Sequence, residues 1–233
     1  MQLQPNNIIA LENVVVGYDH HIILPDVNLT IGKGDFMAIT GPNGGGKTSL
    51  LRVILGLLKP IEGKVRFFDE GKEIEKLNIG YLPQKNMIDS RFPITVEEVL
   101  ESGLLEGKRL FNKRLSVTEK KRIDEILELI GMTKFRDYPI GNLSGGQLQR
   151  VLIGRSIVSG PSVLVFDEPL SYVDKKFEDQ FYDIVDVLAK DATIILVSHE
   201  VTRIMQMANR HIIVNQGIED CHAHRHYVRT DCM

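Results

Sequence analysis

Cysteine is scarce: Cys221 and Cys232 are the only two in 233 residues, and both lie close to the C-terminus. A disulfide framework is excluded as the basis of the fold, and a reducing compartment is expected. Charge of one sign is also lacking. The formal net charge is −3, so nothing basic argues for nucleic acid or an anionic membrane surface as partner. Long hydrophobic runs are missing too. The greasiest stretch, Leu50–Leu58, is short and contains Arg52, well below the roughly 20 apolar residues of a membrane-spanning helix. The opening MQLQPNNIIALENV has none of the basic-then-apolar order of a signal peptide. A cytoplasmic protein is expected, which leaves room for docking on a membrane protein.

What is present is ordinary globular material. At 43% hydrophobic and 25% charged, the chain has enough apolar residues for a sizeable core. IIALENVVVGY and VNLTI are rich in β-branched residues and read as strands, and DFMAIT reads as a short buried strand. KTSLLRVILGLL reads as a helix stopping near Pro60 and Gly63, and KVRFF and IGYLP read as strands. From about Val96 to Ser159 the pattern turns mostly helical. In that stretch Ser116 and Glu119 have capping-box spacing, and Ile123, Ile126, Leu127 and Ile130 share one face. From Ser162 the alternation of strand and helix returns, with SVLVF, KKFEDQFYDIVDVLAK, ATIILVS, EVTRIMQMA and HIIVN in turn. An α/β core interrupted by a helical insertion is therefore expected.

GPNGGGKT, Gly41 to Thr48, follows an expected strand and opens an expected helix. That is the setting in which G-x-x-x-x-G-K-[ST] makes a phosphate cradle. Glycines let backbone N–H groups turn towards phosphate oxygens, and the helix start adds its positive dipole end. Lys47 would place a charge on the terminal phosphates, and the Thr48 hydroxyl can ligate Mg²⁺. VLVFDEP puts Asp167 and Glu168 at the tip of a buried strand that Pro169 ends. Asp167 fits an acid holding Mg²⁺ through its water shell, and Glu168 fits a group polarising the attacking water.

A second glycine turn, LSGGQLQR at Leu143–Arg150, also opens a helix but carries no lysine. Backbone N–H groups, the Ser144 hydroxyl and a dipole end make it half of an anion site. LSGGQ resembles the signature motif of the ATP-binding-cassette ATPases, and the other motifs of that family follow in order over residues 8–215. Tyr18 matches the aromatic that stacks on adenine, Gln84 in YLPQ the glutamine loop, Asp174 the aspartate loop and His199 the switch histidine.

The resemblance implies a fold and a site. The fold is α/β: a P-loop NTPase core of the ABC ATPase type with an antiparallel β subdomain and an inserted α-helical subdomain. Residues 1–85 and 161–233 would form the RecA-like core with the β subdomain, and residues 86–160 the insertion carrying the signature motif. ATP and Mg²⁺ are the implied cofactors. Tyr18, Gly41, Pro42, Asn43, Gly44, Gly45, Gly46, Lys47, Thr48 and Ser49 would bind nucleotide. Thr48, Gln84 and Asp167 would hold Mg²⁺, and Glu168, His199 and Gln84 would be catalytic. Leu143, Ser144, Gly145, Gly146 and Gln147 would close over ATP held by a partner chain, making a homodimer with two composite sites. The sequence departs from the commonest family pattern at Ser171-Tyr172-Val173 before Asp174, and at Glu200 after His199.

A single cassette without membrane helices resembles the separate ATPase subunit of a prokaryotic transporter. It would sit on the inner face of the cell membrane beside integral permease subunits, with an extracytoplasmic metal-binding protein in the same system. PQKNMIDSRFPITVEEVL, Pro83–Leu100, resembles the subfamily importing zinc, manganese or iron, and importers of siderophores or haem carry a similar run. A regulatory cassette outside transport is the alternative from another class. In the tail, His222, His224 and His226 alternate as on one face of a strand, with Cys221 opposite. A metal-sensing cluster and a plain edge strand or frayed tail both fit that pattern.

Overall fold

The computed structural model describes residues 6–19, 21–84, 93–104, 115–170, 173–198 and 201–222. In chain order its first elements are β1 (Asn7–Tyr18), β2 (His21–Gly32), β3 (Phe36–Thr40), α1 (Lys47–Ile54), β4 (Glu62–Asp69), β5 (Lys72–Ile74) and β6 (Ile79–Leu82). The helical stretch contains α2 (Val96–Leu104), α3 (Val117–Leu129), two 3-10 turns at Thr133–Phe135 and Ile140–Asn142, and α4 (Gly145–Ile157). Then come β7 (Val163–Asp167), α5 (Lys175–Leu188), β8 (Thr193–Val197), α6 (Val201–Met207), β9 (Arg210–Val214) and β10 (Ile218–His222).

Period-two alternation sorts the central strands onto two cores. A six-stranded sheet runs in the order β10-β9-β3-β8-β7-β6, parallel except for the edge strand β10. On one face, Met37, Ile39, Val163, Val165, Ile195 and Val197 pack against α1 and the inner residues of β1 and β2. On the other, Phe36, Ala38, Leu164, Phe166, Ile194 and Leu196 pack against α2 to α6. Helices α2 to α6 thus share their core with the sheet. Phe166, Phe181 and Tyr182 meet edge to face at 5.4 and 5.7 Å, each pair adding about 0.5–1.5 kcal/mol beyond its area. The antiparallel sheet β2-β1-β4-β5 lies beyond α1.

A helix end explains one departure from the sequence reading. KTSLLRVILGLL was expected to be helical throughout, yet α1 stops at Ile54. Gly56 takes φ +69, its N–H bonds the Val53 carbonyl at 3.0 Å, and the Leu57 N–H bonds that of Arg52 at 2.8 Å. This is a Schellman stop, in which a glycine adopts the left-handed conformation at little cost. Strand β5, only three residues long, has no periodicity to announce it. The capping box at Ser116 and Glu119 forms as the spacing predicts, and Ile123, Ile126, Leu127 and Ile130 are buried together.

Candidate functional site

Four parallel strands end on one side of the sheet. β3 runs into the phosphate loop, β7 into Asp167 and Glu168, β6 into Gln84, and β8 towards His199, which lies outside the described residues. β8 separates β3 from β7, yet the Thr48 hydroxyl on α1 donates to Asp167 Oδ2 at 3.0 Å. In a parallel sheet, loops beyond the carboxyl ends of strands form the binding crevice.

The phosphate loop is moulded on the β9–β10 turn. Gly41 has φ +138, and a Cβ there would stand 2.1 Å from the Val214 carbonyl oxygen. No L side chain fits that approach. The Gln216 N–H donates to the Gly45 carbonyl at 3.1 Å, tying the same turn to the loop. α1 then starts at Lys47 with no side-chain cap, whereas α3, α4 and α5 are capped by Ser116, Ser144 and Asp174. An uncapped start keeps its first backbone N–H groups for an anion. Lys47 is only 6% exposed, and its ammonium donates to the carbonyls of Gly41 and Pro42 at 2.9 and 3.0 Å, holding the charge at the loop. Asn43 and Gly44 are exposed on the loop, and Gly46 and Ser49 flank the helix start.

Asp167 is 1% exposed, and its Oδ1 is buried without a hydrogen-bond partner. Burial pushes its carboxyl up from the ordinary range. The Thr48 hydrogen bond opposes the shift, and the Glu168 charge adds to it. A buried carboxylate oxygen with an unmet lone pair, beside a hydroxyl and an uncapped helix start, suits a hard cation such as Mg²⁺. Glu168 occupies the left-handed region at φ +52, uncommon for a residue with a side chain and costing on the order of 1 kcal/mol. Its N–H still bonds Val197 at 3.0 Å. The turn brings its carboxylate to Gln84, whose Nε2 donates to Oε2 at 2.6 Å. Nearby, burial pushes the Tyr81 hydroxyl up to about 12, with the Asp167 charge adding to the effect, so the phenol keeps its proton.

The second glycine turn stands apart. Ser144 caps α4, with its Oγ accepting the Gln147 N–H and the Gln147 side chain accepting the Ser144 N–H. This capping box was missed in the sequence, although it has the same spacing as the one at Ser116. Gly145 and Gly146 form the first turn between these two residues. With Arg150 and Asp174 they line a groove of about 690 Å³ that includes no residue of the phosphate loop. Asp174 caps α5 by accepting the Phe177 N–H at 3.0 Å, and also accepts from Arg150 at 2.7 Å. These contacts, the Phe177 amide first, hold its carboxyl below the usual range. Leu143, just before the turn, packs on the helical core. Sequence reasoning gave no role to Gln149, which is 8% exposed and donates to the Pro169 carbonyl at 2.8 Å. It ties the signature helix to the turn after Glu168. Tyr18 ends β1 and is 39% exposed.

The ABC transporter family profile matches residues 24–171. The chain belongs to that family. The high-affinity zinc uptake system ATP-binding protein ZnuC of Bacillus subtilis is 37% identical to this cassette over 91% of its length and 92% of the relative's. The zinc uptake system ATP-binding protein ZurA of Listeria innocua is 38% identical over 96% of the cassette and 90% of the relative. Among solved structures, a dimeric ATP-binding cassette in a post-hydrolysis state with ADP and Pi matches with a TM-score of 0.77 at 26% identity, covering 92% of this chain and 98% of the other. The cassette is an ATP-hydrolysing transporter subunit that uses ATP with Mg²⁺.

No helix among the described residues is long and apolar enough to cross a membrane. Among them, no group of three or more His, Cys, Asp and Glu could hold a metal ion. In the tail, β10 is an edge strand reaching His222, and His224 and His226 lie outside the described residues.

Proposed function

We propose that this cassette drives uptake of zinc through a separate membrane permease, by hydrolysing ATP at composite sites of a homodimer on the inner face of the membrane. The observation that carries the hydrolytic site is the meeting of Thr48 with Asp167, whose second carboxylate oxygen is unmet. The names of the two zinc-uptake relatives favour zinc over manganese, iron, a siderophore or haem. An extracytoplasmic zinc-binding protein would deliver the cargo.

In this reading Gly41 to Ser49 cradle the phosphates and Lys47 neutralises them. Thr48, Asp167 and Gln84 would hold Mg²⁺, which when bound supplies charge neutralisation at the terminal phosphates. Glu168 orients the attacking water and takes its proton, while Gln84 positions the carboxylate. His199 contacts the terminal phosphate. Tyr18 stacks on adenine. Leu143 to Gln147 and Asp174 face ATP held by the partner chain, because a two-fold interface presents one patch twice. The absence of any phosphate-loop residue from the lining of the signature groove supports that arrangement, as does the likeness to a dimeric cassette. Residues 86–160 form the insertion within one ATPase domain, and the insertion docks the permease.

The test is Glu168→Gln. Purified variant should bind ATP, lose at least about a hundredfold in turnover, and scatter light as a dimer with ATP and Mg²⁺. Cells carrying it should fail to accumulate zinc after starvation. Wild-type turnover would reject the role of Glu168. Unchanged zinc content with turnover lost would reject zinc import and leave the ATPase standing.

A further inference from the structure

Tyr18 is an incomplete platform on its own. It is the last residue of β1, it is followed by Asp19 at φ +50, and its ring is partly exposed. Packing alone does not lock such a ring in one rotamer. Its hydroxyl is held from one side. The Arg52 guanidinium donates to it at 3.0 Å. Among the described residues Arg52 has no ion pair, and its side-chain hydrogen bond goes to this neutral phenol. An exposed arginine so engaged serves geometry more than charge pairing.

The helix makes that geometry useful. Thr48, four residues before Arg52, reaches Asp167. One turn of α1, about 5.4 Å of rise, therefore carries both the hydroxyl beside the acid and the anchor of the ring. ATP has a set reach from base to terminal phosphate. A ring fixed relative to the phosphate loop is already placed for the base, whereas a mobile ring must be ordered on binding.

We propose that Arg52 is a positioning residue for the base of ATP, holding the Tyr18 ring in register with the phosphate loop. This rests on the reading that Tyr18 stacks on adenine. Arg52 does not touch the reacting atoms, so its loss acts on nucleotide binding and leaves the chemical step alone.

The test compares two probes on the purified protein with Mg²⁺: ATP, and inorganic tripolyphosphate, which has phosphates but no base. Arg52→Ala should raise the Kd and KM for ATP about three- to tenfold, hold kcat within about twofold, and leave tripolyphosphate binding within about twofold. Tyr18→Phe, which keeps the ring and loses the hydroxyl, should weaken ATP binding to the same extent and spare tripolyphosphate. The double variant should be no worse than either single one, and Arg52→Lys should recover part of the affinity. Equal weakening of both probes in Arg52→Ala would mean damage to α1 and would overturn the inference. So would wild-type ATP affinity in Tyr18→Phe, or additive losses in the double variant. Tyr18→Ala separates the two levels. If it leaves discrimination between the probes unchanged, the stacking reading fails and the inference falls with it. If it destroys discrimination while Arg52→Ala does not weaken ATP, the inference alone fails.

Discussion

Replacing Asp167 by asparagine should make the nucleotide-free cassette more stable while destroying its catalysis. The carboxylate is almost fully buried, one oxygen has no partner, and the other has only the Thr48 hydroxyl. An ion in that setting carries an effective desolvation penalty of several kcal/mol. Asparagine removes the charge and weakens the hydrogen bond from Thr48 by about 1 kcal/mol. A net gain of about 1–2 kcal/mol is expected, or roughly 3–6 °C in Tm for a chain of this size. With saturating ATP and Mg²⁺ the order should reverse. Ligand at a hundred times its Kd adds about 2.7 kcal/mol, and the variant forgoes much of it with the acid gone. The pH dependence has a definite sign. The folded carboxyl titrates above its ordinary range, so its cost is absent below the unfolded value and grows as pH rises through the folded one. The variant's advantage should therefore be full at neutral pH and shrink on acidification. Thermal melts of both proteins, with and without ATP and Mg²⁺ across that range, measure all of this. A variant that melts lower than wild type without ligand would refute the reasoning, because Asp167 would then be a structural group.

Gly41→Ala should abolish ATP binding and cost several kcal/mol of stability, since the new Cβ would lie 2.1 Å from the Val214 carbonyl oxygen; calorimetry with ATP and a urea titration check it. His211 is buried, and its Nε2 meets the Thr40 hydroxyl at 2.7 Å, one residue before the phosphate loop. Burial holds its pKa below the usual 6.5. Its contribution is therefore present above the unfolded value and lost as pH falls towards the folded one. Urea midpoints should fall more steeply from pH 7.5 to 5.5, both roughly chosen to bracket that value, in wild type than in His211→Gln, and parallel slopes would count against it.

Both glycine turns were legible because each is a contiguous segment whose chemistry is local. A strand, a glycine loop, a lysine and a helix start at Gly41–Thr48 suggest a cradle from neighbours alone, and α1 starts there without a side-chain cap. The capping box at Ser144 is equally local, yet the signature pattern masks it, because Gln147 already has a place in that motif. The early end of α1 was written in Gly56, although the apolar run beyond it disguised the stop.

The sequence by itself determined which side chains are candidates for the chemistry, and that they stand at strand tips and helix starts. Period-two and period-3.6 burial decides this locally. Tertiary structure alone decided which tips meet. The order β3-β8-β7-β6 brings Thr48 to Asp167 across 119 residues and Gln84 to Glu168 across 84. No local pattern encodes strand order, since that is set by which crossovers bury both faces of the sheet. The left-handed turn at Glu168, the Gln149 bond to Pro169 and the Arg52 anchor on Tyr18 belong to the same class. Each exists because packing holds distant backbone segments at one distance, and residue type alone does not fix that distance.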